Sequence, residues 1–207
     1  MSPVVHVVDD DDSARTAVLR LLGAVGYIAR GYGSAGEFLM TVSDDTPGCL
    51  VLDVRMPGPS GLELQEALTR RHSTLPVIFL TGFGDIPMSV RAIKAGAIDF
   101  LTKPVEREAL IRAVRSALER DARTRRSREQ GRALREKFDA LTPRERDVFV
   151  RVVSGKLNKQ IAADLGTAER TVKAHRAHVM EKLNVASVAE LVHVAEQLKA
   201  ASHSAGE

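Results

Sequence analysis

The sequence predicts a doubly wound α/β fold, a five-stranded parallel sheet, followed by an all-α four-helix unit that contains a helix-turn-helix. Three observations predict it. Short apolar runs alternate with helical patterns five times across residues 1–118. The central runs, CLVLD and PVIFLT, are apolar throughout, as strands covered on both faces are. The last 70 residues carry helical patterns and no strand pattern. Repeated strand–helix units imply right-handed crossovers and a parallel sheet.

The expected strands are Val4–Val8, Tyr27–Ala29, Cys49–Asp53, Val77–Thr81 and Ile98–Leu101. The first runs into four aspartates, Asp9 to Asp12. Of these, Asp12 is placed to N-cap the first helix, since Asp is among the best N-caps, and Asp11 to shape a pocket rim. Ser34 with Glu37 makes a capping box, and Asp85 caps a later helix with Pro87 in its first turn. The pattern Leu110, Val114, Leu118 then continues into ERDARTRRSREQGRALREKF, where Gly131 is the one breaker. This reads as a helix that outgrows the first domain, with a flexible basic linker as the alternative. The expected division is a first domain at 1–118, a helical basic linker at 119–137 and a helix-turn-helix domain at 138–202.

Within that last part, Thr142 and Glu145 form a capping box with Pro143 at the first helical position, and Gly155 closes the helix. A short helix, Asn158 to Leu165, is followed by Gly166 and Thr167 and then by a longer helix, Ala168 to Leu183. That order makes a helix-turn-helix. Ser187 with Glu190 opens a final helix.

Composition narrows the function. The 207 residues are 44% hydrophobic and 28% charged, as in soluble globular chains. A lone cysteine, Cys49, excludes an internal disulfide framework and fits a reducing compartment. No apolar stretch approaches the roughly 18 residues of a membrane span, so the expectation is a cytoplasmic protein without a membrane partner. The net charge of +3 is unevenly spread. Residues 1–118 hold 12 basic against 14 acidic side chains, residues 119–137 hold 8 against 4, and residues 138–207 hold 10 against 9. The basic excess therefore lies in the connector.

In an open α/β sheet, ligands sit beyond the carboxyl ends of the strands. Those ends present Asp9 and Asp10, then Asp53, then Thr81, with Lys103 just past Leu101. Clustered carboxylates become tolerable around a divalent cation, and Mg²⁺ takes oxygen ligands while keeping several waters. Asp10 and Asp53 are placed to ligate it directly, with Asp9 acting through water. Lys103 and the Thr81 hydroxyl are placed to contact phosphoryl oxygens, and a carboxylate held there can attack phosphorus.

VDD at the first strand end, LDVRMPGPSG around Asp53, LTG at Thr81 and FLTKP at Lys103 together resemble a response-regulator receiver domain, of the CheY-like, flavodoxin-type fold. The resemblance implies that Asp53 is the phosphoacceptor and that Asp9 and Asp10 hold Mg²⁺, with the Arg55 backbone carbonyl as a further ligand. It also implies Thr81 and Phe100 as the switch pair and a cis Lys103–Pro104 bond. A phosphatase of the haloacid dehalogenase type wants a second Asp two residues beyond its nucleophile, and that position here is Arg55. An Asp-rich calcium loop lacks its required glycine. No enzymatic role is expected beyond the receiver's own phosphotransfer and autodephosphorylation. Gly82 leaves access open, and Phe83 cannot orient a water by hydrogen bonding, so slow autodephosphorylation is expected.

The segment from LTPRE through NKQIA and TVKAH to KLNV resembles the LuxR-type (NarL/FixJ) DNA-binding domain. On a helical wheel Val172, Val179 and Leu183 form the core stripe of the recognition helix, opposite Arg170, Ala174 and Ala177. Lys173 is the foremost base-contact candidate, and the alanine methyls can meet thymine methyls. Asn158, Lys159, Thr171 and Lys182 suit phosphate contacts, and Arg176 reaches a phosphate from near the core side. The stretch GDIPMSVRAIKAGAIDFLTKP resembles the FixJ/StyR-like subfamily, whose receivers pair through this region. That implies a homodimer surface at Met88, Val90, Arg91 and Lys94. The partners so implied are a cognate sensor histidine kinase, promoter DNA, a second copy of the chain and RNA polymerase. The alternatives are an orphan regulator that binds DNA constitutively, and a receiver acting as a phosphate sink or partner-binding module.

Overall fold

The computed structural model describes residues 2–82 and 86–203. Phe83 and Asp85, to which the sequence reading gave roles, lie outside them. The chain divides into two compact units, one to Arg125 and one from Arg126.

The first unit is a parallel sheet of β1 (Val4–Val8), β2 (Ile28–Tyr32), β3 (Gly48–Leu52), β4 (Val77–Thr81) and β5 (Asp99–Thr102), in the order β2-β1-β3-β4-β5. Between the strands run α1 (Asp12–Ala24), α2 (Ala35–Thr41), α3 (Gly61–Arg70) and α4 (Ile86–Lys94), and α5 (Arg107–Asp139) follows β5. Every residue of β3 and β4 is buried, as continuous apolar strands covered on both faces require. One core cluster includes Phe38, Leu50, Leu52, Leu64 and Phe79, and another includes Val5, Leu22, Val51, Ile78, Leu110 and Val114.

The expected strand Tyr27–Ala29 shifts along the chain. The strand that forms is Ile28–Tyr32, paired with β1 from Val4↔Ile28 to Val8↔Tyr32. As an edge strand it is only partly covered, with Ile28 and Arg30 exposed, Ala29 and Gly31 half-buried and Tyr32 buried, so its charged and glycine positions hid it from an apolar-run criterion. The Ser34–Glu37 box is half formed. Ser34 accepts from the Glu37 N–H at 3.2 Å, but the Glu37 carboxylate accepts from the Gly33 N–H at 2.7 Å instead of from Ser34.

Past Leu118, α5 is fastened to the first unit by charge. Asp121, 3% exposed, accepts from the Gly48 N–H at 3.0 Å and from Arg125 Nε at 3.0 Å. Arg125 also donates to the Thr46 carbonyl at 2.6 Å and to Asp45. The compact unit accordingly runs seven residues beyond Leu118, to Arg125.

The second unit contains the last turns of α5 and α6 (Pro143–Val153), α7 (Asn158–Leu165), α8 (Glu169–Leu183) and α9 (Val188–His203). The Thr142–Glu145 capping box forms in full with Pro143 in the first turn. Gly166 takes a left-handed conformation, φ 62°, that turns α7 into α8, a backbone state glycine adopts without steric penalty. The core includes Val148, Phe149, Ile161, Val172, Val179, Leu183 and Leu191.

Candidate functional site

The strand order reverses between β1 and β3, and such a switch point is where doubly wound sheets bind ligands. Asp9 and Asp10 follow β1 and Asp53 follows β3. The ends are pinned by backbone bonds, from the Asp53 N–H to the Val8 carbonyl at 2.8 Å and from the Asp9 N–H to the Tyr32 carbonyl at 3.1 Å. Oxygen atoms of Asp9, Asp10 and Asp53 lie within 4.8 Å of one another, and Asp9 and Asp53 are buried.

Lys103 reaches this cluster from directly beyond β5, and the Lys103–Pro104 bond that follows it is cis. Its Nζ lies 2.6 Å from Asp9 Oδ2 and 3.1 Å from Asp53 Oδ2. Burial is the largest influence on Asp9 and pushes its pKa above the ordinary carboxylate value despite Lys103. Burial also opposes the Lys103 charge, but the bonds to Asp9 and Asp53 outweigh it and hold its pKa above the ordinary value. Three carboxylates thus face one ammonium. A partly buried set of hard oxygens with that excess negative charge fits Mg²⁺.

Thr81, 1% exposed, ends β4. Phe100 is half-buried on β5, its ring centroid 6.1 Å from that of Phe79. Gly61, whose role the sequence reading missed, begins α3 directly behind the phosphoacceptor candidate. Its N–H donates to the Val54 carbonyl at 3.0 Å. A Cβ there would overlap the Asp53 carbonyl oxygen, so this glycine permits the close approach of helix and loop.

The N-cap of α1 falls on Asp11, one residue before the Asp12 that the sequence predicts. Asp11 is the N-cap of α1, its carboxylate accepting from the N–H groups of Ser13 at 2.8 Å and Ala14 at 3.1 Å. Asp12 is the first helical residue and pairs with Arg15. The cap fell one residue earlier because the Asp11 backbone is extended, φ −78° and ψ 106°, as an N-cap must be. The Asp11 N–H also donates to Asp9 Oδ1 at 3.1 Å, so the cap and the pocket share one turn.

On α4, Val90, Arg91 and Lys94 are exposed, while Met88 packs against the core. On α8, Val172, Val179 and Leu183 are buried, whereas Arg170, Lys173, Ala174 and Ala177 are exposed. Lys159 is exposed at the start of α7, beside half-buried Asn158. Thr171 and Arg176 are half-buried, and Arg176 donates to Asn158 Oδ1 at 3.1 Å. Lys182 has a partner the sequence did not reveal, Glu145 of the capping box, at 2.7 Å. Lys182 is the largest influence on Glu145, whose pKa is held down at about 2. Among the described residues no helix is long and apolar enough to cross a membrane.

A carboxylate pocket at a sheet switch point, in a chain that also carries a helix-turn-helix, defines a signal receiver joined to a DNA-binding module. Comparison with known proteins agrees unit by unit. Residues 5–115 match the response regulator receiver domain, and residues 139–195 match the luxR family of bacterial regulatory proteins. Nodulation protein W of Bradyrhizobium diazoefficiens is 47% identical over 94% of this chain and 86% of its own. Transcriptional regulatory protein FixJ of Azorhizobium caulinodans is 44% identical over 92% and 90%. The solved structure of response regulator StyR, 48% identical, covers 95% of this chain and 100% of its own with a TM-score of 0.87. The chain belongs to the NarL/FixJ family of response regulators. It is a two-component transcription regulator, and its two domains imply a sensor kinase and promoter DNA as partners.

Proposed function

We propose that Asp53 accepts a phosphoryl group from a sensor histidine kinase and that the phosphorylated chain pairs with a second copy and binds promoter DNA, where RNA polymerase is engaged. The observation that carries this reading is the Lys103 ammonium spanning Asp9 and Asp53 at 2.6 and 3.1 Å within a cluster of carboxylates.

In the transfer, an Asp53 oxygen bonds to phosphorus as the bond from phosphorus to the donor imidazole nitrogen breaks. The nitrogen keeps the electron pair and takes a proton from solvent. Such reactions depend on positioning and charge more than on covalent chemistry. Asp10, Asp53 and the Arg55 carbonyl would hold Mg²⁺, with Asp9 acting through water, and the ion would neutralise charge on the transferring group. Lys103 exchanges its Asp53 contact for a phosphoryl oxygen, and the Thr81 hydroxyl donates to another. Phe100 then turns inward, reshaping the surface of Met88, Val90, Arg91 and Lys94 at which two receivers meet. No chemistry beyond phosphotransfer and dephosphorylation is assigned to the chain.

Pairing places two DNA modules on one particle, and the second then binds at raised effective concentration. Arg170, Lys173, Ala174 and Ala177 face base edges in the major groove, and Asn158, Lys159, Thr171, Arg176 and Lys182 hold phosphates. The test is Asp53→Asn with acetyl phosphate and Mg²⁺, followed by sedimentation and promoter binding. The wild type should dimerise and bind more tightly, and the variant should do neither. A variant that still dimerised on the phosphodonor would overturn the mechanism.

A further inference from the structure

Arg15 is the fourth residue of α1, yet its side chain is only 19% exposed. Its stem crosses β2 at Gly31, where an added Cβ would stand 3.1 Å from Arg15 Cδ and 3.2 Å from Cγ. The guanidinium turns back towards the end of β1. Nη1 donates to the Asp9 backbone carbonyl at 2.5 Å, and Nη2 pairs with the Asp12 carboxylate. The helix does not need this fork, because its N-cap is Asp11. Asp12 is 87% exposed, and an ion pair so open to water adds little stability.

The bond to the Asp9 carbonyl reaches further. That oxygen and the Asp10 N–H belong to one planar peptide unit, so a hold on the oxygen fixes the plane from which Asp10 departs. The rest of Asp9 is tied down already. Its N–H donates to the Tyr32 carbonyl at 3.1 Å, its Oδ1 accepts from the Asp11 N–H at 3.1 Å, and its Oδ2 lies 2.6 Å from Lys103 Nζ. Asp10 is exposed, with no hydrogen bond to its carboxylate among the described residues. Its direction therefore depends on the backbone behind it.

We propose that Arg15 is a positioning residue for the metal pocket, which aims the Asp10 carboxylate by holding the Asp9–Asp10 peptide. This rests on Asp10 being a direct Mg²⁺ ligand. A cation that merely stood beside the site would repel Mg²⁺, and its loss would tighten the metal. Arg15 instead commits its planar fork to a carbonyl and a carboxylate outside the cluster, so orientation outweighs repulsion and its loss weakens the metal. The sign of the effect separates the two roles.

The experiment titrates the full chain with Mg²⁺ by calorimetry, and follows phosphate incorporation from acetyl phosphate against Mg²⁺ concentration. The wild type should bind Mg²⁺ saturably. Arg15→Met, which keeps most of the side-chain length and removes its donors, should bind about tenfold more weakly, the low end for groups that orient metal ligands. Arg15→Gln should do the same. In both variants the Mg²⁺ concentration for half-maximal phosphorylation should rise by that factor, while the rate at saturating Mg²⁺ stays near wild type. Lost stability alone does not produce that split. A wild type without saturable Mg²⁺ binding would overturn the metal site and this inference together. If the wild type binds and the variants bind as tightly or more tightly, or lose rate only at saturating Mg²⁺, the role of Arg15 alone is overturned.

Discussion

Strand β3 carries a buried carboxylate problem at each end, and the two ends solve it differently. Just past its carboxyl end, Asp53 shares Lys103 with Asp9 while Asp10 stands beside them, so negative charge remains in excess. At its amino end, Gly48 donates to Asp121, and Arg125 closes the charge with bonds to Asp121, Asp45 and Thr46. Asp9 and Asp121 are 2% and 3% exposed, so burial does not separate them. Compensation does. Where the buried carboxylate has a guanidinium against both of its oxygens and a backbone N–H besides, the group holds structure. Where carboxylates cluster around a single shared ammonium, the site fits a divalent cation.

The largest effect expected from breaking this contrast is at Asp53. Asp53→Asn should abolish phosphate incorporation from acetyl phosphate, measured by mass spectrometry of the intact chain, while leaving the fold in place. Next, Asp10→Asn should weaken Mg²⁺ by about ten- to a hundredfold, a range typical of altered metal-site shells, read by magnesium titration. Asp121→Ala acts at the other end and should do the reverse. Removing one partner of a buried pair costs about 3–5 kcal/mol, so chemical denaturation should show a large stability loss in the first unit with phosphorylation chemistry preserved in the fraction that folds. If Asp121→Ala instead lowered Mg²⁺ affinity as Asp10→Asn does, the contrast would fail. The smallest effect belongs to the shared turn. Asp11→Ala should lower the melting temperature by a fraction of the Asp121→Ala shift, and Asp12→Ala by less still.

His6 adds a third solution, in which the charge is removed. It is 2% exposed, its Nδ1 lies 2.9 Å from the Tyr32 hydroxyl, and burial, assisted by Arg30, lowers its pKa to about 4. The unfolded chain binds that proton first, so the first unit should lose stability as pH falls from about 6.5 towards 4. Glu145 in the second unit behaves differently. Its folded pKa is depressed to about 2, so its contribution is present above about 4.5 and is lost as pH falls from there towards 2. Acid titration followed by hydrogen exchange should therefore weaken the first unit at higher pH than the second. His6→Gln should flatten the upper step only.

Much of this was legible in the residues. The β1, β4 and α7 boundaries were read as they form, because apolar runs, caps and a turn glycine are local signals. The aspartates of the pocket were legible as well, since strand-end acids in a repeated strand–helix pattern have one common destination. The edge strand β2 was misplaced because it is only partly covered and carries Arg30 and Gly31 where an apolar run was sought. The fastening of Asp121 to Gly48 and Arg125 was not legible, because Asp121 sits among eight basic side chains and three other acids in a stretch that reads as a solvated connector. Its partner, the Gly48 N–H, is 73 residues away. Gly61 ends the LDVRMPGPSG motif, but its role was not legible there, since its reason is the Asp53 carbonyl oxygen behind it.

By itself the sequence determined the order of strands and helices along the chain, the strand-end aspartates that gather in one pocket, and the pair of helices that makes the helix-turn-helix. Each of these rests on periodicity, capping or residue type within a few positions. Only the tertiary structure decided which buried charges are satisfied. It showed Asp11 as the cap with Asp12 inside the helix, Lys182 on Glu145, and Asp121 locked while Asp9 is not. The physical reason is that the energy of a buried polar group depends on partners brought near by folding, and those partners come from anywhere in the chain.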